Sequence, residues 1–122
     1  PLRLQAYERL VLFLERISPN KLLLRVPPMS DDKMDYVNLL IHHIDQEFDH
    51  NLTQQIYGSD EGWMMIITAK NTVIQNLRKT AIGTDITNAD ELRQRILSNQ
   101  FEVESSATIA LSYLKTEVTT FL

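Results

Sequence analysis

From residue 29 to residue 122 the chain contains no proline, and only Gly58, Gly62 and Gly83 interrupt that run. Tight turns between strands lean on glycine and proline for the backbone angles they need, so a stretch this poor in both is bad material for hairpins. An all-β fold is all but excluded, and a phosphate-cradling βαβ unit lacks its glycine loop. Long helices joined by few breaks remain. The prolines present (Pro1, Pro19, Pro27 and Pro28) all fall before that run.

A chain of 122 residues buries about two-thirds of its unfolded surface on folding, which suffices for one domain with a real core. With 43% hydrophobic and 23% charged residues it sits in the ordinary globular range. The formal charge is −4 and the densest basic cluster is only Arg78-Lys79, with Arg93 and Arg95 further on. A nucleic-acid-binding protein needs a basic face, so that class is set aside. Absence of cysteine rules out disulfides, thiolate catalysis and cysteine-ligated zinc or iron–sulfur sites. No run of about 18 apolar residues or signal peptide is present, so this stretch is expected to lie in the cytoplasm. Because it opens at Pro1 without methionine, it is also expected to be a piece of a longer chain.

Periodicity predicts an all-α antiparallel bundle of four main helices and two short ones. Residues 2–17 form the first, with Leu4, Tyr7, Leu10, Val11, Phe13, Leu14 and Ile17 spread over half its circumference. That face is wider than one neighbouring helix can bury, so the helix is either central or serves a partner surface. Ser18-Pro19 starts a short helix carrying Leu22, Leu23 and Leu24, which stops before Pro27-Pro28. The third helix, about 31–57, carries Met34, Val37, Ile41, Ile44 and Phe48 at 3-4 spacing, extended by Leu52 and Ile56. The fourth spans about 60–81, closed near Gly83. A short helix of about 88–98 is capped by Thr87 or Asn88. A last helix, capped by Ser105-Ser106, runs to about 121.

One constellation looks like chemistry. His43, Glu47 and His50 share a face of the third helix, and Glu47-x-x-His50 has the spacing used in di-iron bundles. One carboxylate and two imidazoles could hold a divalent metal with open positions for hydrolysis or oxygen activation. Against this, the three project away from the apolar stripe, whereas bundle metal sites project inward, and the chain's three histidines all lie on this one helix. The bland reading is a solvated face. Lys70 stands in the middle of the fourth helix's apolar face. It is either a nucleophile with a lowered pKa or a stem lying on apolar surface with its ammonium reaching Asp45. Trp63-Met64-Met65-Ile66-Ile67 is apolar all round, so it is either wholly buried or a methionine-rich contact surface.

The stretches LRLQAYERLVLFLERISPNKLLLRV (residues 2–26) and EFDHNLTQQIYGSDEGW (residues 47–63) resemble a family of uncharacterised Bacteroidetes proteins. In that family an N-terminal membrane-spanning helix and a charged linker precede a helical cytosolic domain. The resemblance implies an anchor upstream of Pro1 and a place at the inner face of the cytoplasmic membrane. It implies no activity and no functional residues.

The expectation is therefore a helical interaction or scaffold domain that forms a homo-oligomer or binds a protein partner. Leu4, Leu10, Phe13, Met64 and Met65 are its candidate surface. The alternative is a metal-binding bundle enzyme using His43, Glu47 and His50.

Overall fold

The computed structural model describes residues 2–52, 55 and 59–120, and of residues 100–107 the backbone alone. Six helices follow one another among those residues: α1 Leu2–Arg16, α2 Pro19–Arg25, α3 Lys33–His50, α4 Asp60–Ala81, α5 Ala89–Ser98 and α6 Gln100–Thr119. No described residue lies in a strand. The fold is the all-α bundle of four long and two short helices.

Short polar side chains set the boundaries. Asp32 opens α3, its Oδ1 accepting from the backbone N–H of Met34 (2.8 Å) and Asp35 (3.0 Å). Ser59 opens α4 by accepting from Gly62 N–H at 2.9 Å. Of the two candidate caps for α5, Asn88 is used: it accepts from Glu91 N–H at 2.8 Å, and the Glu91 carboxylate reaches back to Thr87 N–H at 2.9 Å. Pro19 occupies the first turn of α2, while the Ser18 hydroxyl turns back to donate to Glu15 C=O at 2.8 Å.

Two expected boundaries shift, and two apolar side chains, Met34 and Leu24, stand exposed. Helix α3 ends at His50, so Leu52 lies beyond it and is exposed, and Ile56 falls outside the described residues. Met34, in the first turn of α3, is 40% exposed, and Tyr36 and Leu40 are buried in its stead. Helix α6 begins at Gln100, with Asn99 alone between it and α5, so Ser105-Ser106 lies within the helix and does not start it. Leu24 points outward at 82% exposure while Leu22 and Leu23 are buried.

The core runs through all six helices. Helix α1 supplies Ala6, Tyr7, Leu10, Phe13 and Leu14, with Ile17 just beyond its end. It packs against α2, α4 and α6 at once, which is why its apolar face is so wide. Helix α3 packs against both α4 and α5, and α4 packs most extensively on α6.

Polar ties lock the connections. Leu23 C=O would ordinarily bond to the N–H four residues on, but that residue is Pro27 and has none. Arg93 of α5 supplies the donor instead, 3.0 Å away, and also donates to the Tyr36 hydroxyl at 2.6 Å. Tyr36 in turn donates to Val26 C=O at 2.8 Å. Lys33 donates to Gly83 C=O (3.0 Å) and Ile86 C=O (2.6 Å), tying the start of α3 to the segment after α4.

Two buried phenols make stability sensitive to alkali. Burial raises the Tyr7 hydroxyl above its usual 10.0, and its hydrogen bond to Glu117 raises it further. Burial also raises Tyr36, against the lowering influence of Arg93. In the unfolded chain both ionise near 10. Their protonated folded forms therefore contribute stability that is fully present below about pH 10 and is lost as pH rises through the higher folded values. Melting temperature should hold steady up to about pH 9.5 and fall beyond it. Tyr36→Phe should make that fall shallower in melts taken from pH 8 to 11. An equal slope in wild type and variant would show that Tyr36 does not contribute.

Candidate functional site

The sequence-predicted residues divide between two regions. The first lies where α1 meets the last turns of α3. Phe13 packs tilted against Phe48, with ring centroids 5.9 Å apart and 54° between the planes, and Phe48 stacks on Trp63 at 5.5 Å. Lys70 reaches across from α4, its Nζ 4.2 Å from the Phe48 centroid and 3.5 Å from Asp45 Oδ1. Its stem thus lies on apolar surface while its ammonium meets a ring face and a carboxylate, the expected Lys70–Asp45 contact.

Glu47 is committed to cations. Its Oε1 accepts from Arg16 Nε at 2.6 Å and from Arg25 Nη2 at 3.1 Å, joining α1 and α2 to α3. Arg25 also donates to Arg16 C=O at 3.2 Å, near the end of α1. Glu47 Oε2 is buried and finds no hydrogen bond among the described residues. His43 is half-buried and His50 exposed. Among the described residues no three or more His, Asp or Glu gather as a set that could hold a metal ion, so His43, Glu47 and His50 do not converge. Glu47 serves instead as the acceptor that closes the α1–α2 corner. Sequence reasoning missed this pairing, because Arg16 and Arg25 are brought to one acceptor only by the turn at Ser18-Pro19.

The second region is the face shared by α4 and α6. Met64 is 57% exposed and Ile109 62% exposed. They flank a groove of about 350 Å³ lined by Glu61, Met64, Met65, Thr68, Ile109 and Ala110. Among the described residues Glu61 is the sole charge lining it, held by the Tyr113 hydroxyl, which donates to Glu61 Oε2 at 2.8 Å. The segment 63–67 is thus neither wholly buried nor wholly exposed: Trp63 and Ile66 enter the core, Met65 and Ile67 are half-buried, and Met64 stands out.

Nearby, the α4 N-terminus is closed from the other side. The Tyr7 hydroxyl donates to Glu117 of α6 and accepts from Ser59 N–H at 3.3 Å. Gly62 permits this close approach, since a Cβ there would sit 3.1 Å from Glu117 Oε2 and 3.4 Å from the Tyr113 ring.

Of the candidate surface residues, Leu10 and Phe13 are core residues, 2% and 1% exposed. They are covered by the neighbours of α1 and are closed to a partner. Leu4 and Met65 are half-buried, and Met64 alone of the five is exposed. Ile109, absent from the expected set, joins Met64 across the helix pair. Its exposure could not be read from α6, whose many β-branched residues blur the polar side.

No helix among the described residues is long and apolar enough to cross a membrane. The chain belongs to the DUF7935 family, a family of unknown function, whose profile matches residues 1–121. No curated protein and no solved structure matches it.

Proposed function

We propose that the chain is a helical interaction module that self-associates through the face formed by α4 and α6. The observation that supports this is the combination, on one face, of exposed apolar side chains with uncharged polar ones, Glu61 being the one charge among the described residues that line the groove there. Along α4 the outward positions Met64, Thr68, Asn71 and Gln75 are uncharged, and so are Ile109, Ser112 and Thr116 on α6. Interface cores are depleted in charge and enriched in methionine and aromatic residues, whereas an ordinary solvated helix face is not. A stable interface buries about 800 Å² per partner, roughly a ninth of this chain's 7069 Å² surface. Two helices about 30 Å long, side by side, can supply that area.

Residues 2–26 and 47–63 resemble Bacteroidetes proteins that carry an N-terminal membrane-spanning helix. An anchor upstream of α1 would hold this module at the inner face of the cytoplasmic membrane and raise its local concentration. Expression of the complete gene product with cell fractionation tests that part.

For the interface, Met64→Glu and Ile109→Glu should each move the chain to the monomer position in gel filtration while helical content stays unchanged. Leu24→Glu, at a still more exposed apolar position on α2, should leave association as it was. Association of Met64→Glu as tight as wild type would refute the proposed face.

A further inference from the structure

Among the described residues, the groove beside Met64 has a particular chemistry: apolar walls from Met64, Met65, Ile109 and Ala110, with one carboxylate, Glu61, on its rim. That combination suits a side chain with an apolar stem and a cationic head. Helix α4 carries such side chains at its far end, where Arg78 and Lys79 are exposed. Neither has an ion-pair partner among the described residues. Glu61 and Arg78 are 17 residues apart along α4, about 25 Å at 1.5 Å per residue, so they cannot meet within one chain. Between them the only charged residue of α4 is Lys70, and it is turned inward onto Asp45 and Phe48.

We infer that two copies pack α4 against α4 antiparallel about a two-fold axis, with Arg78 of each copy entering the other's Met64–Ile109 groove to meet Glu61. This rests on the self-association proposed above and adds its orientation and register. An isologous two-fold contact makes residue i of one copy face residue j of the other, and j face i. Setting Glu61 opposite Arg78 places Met64 opposite Gln75 and Thr68 opposite Asn71. Uncharged side chains thus meet at the centre, and the acidic and basic ends of α4 pair at the rims. Acidic first turns and basic last turns are favoured in any single helix. The macrodipole does not account for the uncharged stretch between them or for a groove shaped around Glu61. Tyr113 occupies only one Glu61 oxygen, so Oε1 is open to a guanidinium.

The test is charge reversal, read by sedimentation equilibrium at low salt with circular dichroism to verify folding. Glu61→Arg and Arg78→Glu should each weaken self-association about ten-fold or more, since each converts two attractions per dimer into two repulsions. The two variants mixed in equal amounts should recover association, because each complements the other at both rims. The double variant Glu61→Arg/Arg78→Glu should recover it too. If the wild type associates and neither reversal alters it, the antiparallel register is overturned while the interaction face stands. If the wild type stays monomeric, both fail. If each reversal weakens association but mixing does not restore it, the pairing of Glu61 with Arg78 is overturned.

Discussion

Phe13→Ala should lower the unfolding free energy by about 3–5 kcal/mol, the range for truncating a fully buried aromatic. The side chain is 1% exposed and packs tilted against Phe48, which stacks on Trp63. Its removal deletes one ring contact and leaves a cavity that α1 cannot close, because α2, α4 and α6 hold that helix on several sides. Domains of this size are stable by about 5–15 kcal/mol, so the variant should be marginal, with its melting temperature down by roughly 10–20 °C. Urea titration followed by Trp63 fluorescence measures it directly. The same experiment separates two roles for α1. A surface residue would leave stability within about 0.5 kcal/mol of wild type and act only on association.

Arg93→Met should cost about 2–3 kcal/mol, which is large for a residue that is not fully buried. Methionine keeps the aliphatic stem and removes the guanidinium. Leu23 C=O then loses the donor that stands in for the missing N–H of Pro27, and the Tyr36 hydroxyl loses its charged neighbour at 2.6 Å. Hydrogen bonds to charged groups contribute about 1.5–3 kcal/mol, more than neutral ones. In a double-mutant cycle with Tyr36→Phe the two losses should overlap, because both variants cut the same Arg93–Tyr36 bond. Strict additivity in chemical denaturation would mean that Arg93 acts through Leu23 alone.

These residues also show how far the fold could be read from the chain. Helix number and order followed from glycine and proline placement and from 3-4 spacing, and Asp32, Ser59 and Asn88 stand at helix starts where short polar residues are favoured. The Lys70–Asp45 contact was legible because a lone cation on an apolar stripe must reach something. The seam of α3 was misplaced in part. Spacing that selects Met34 and Leu52 assumes a single neighbour, whereas α3 packs on both α4 and α5, so a wider face carrying Tyr36 and Leu40 is buried. Leu10 and Phe13 show the same ambiguity from the other side. A broad apolar face states how much is covered and leaves open whether the cover is the chain itself or a partner. Arg93 reaching Leu23 C=O, across 70 positions, has no local signature at all. The α4–α6 face was half-visible: Met64 stood out, but its pairing with Ile109 across a groove becomes a feature only when the two helices lie side by side.

The central claim is that this face joins two copies. Light scattering across a concentration series, from micromolar to about millimolar at low salt, tests it most directly. The account predicts a mass that rises with concentration from the 14.1 kDa of one chain toward twice that value and levels there, as a closed two-fold contact requires. A mass that stays at one chain throughout would contradict it.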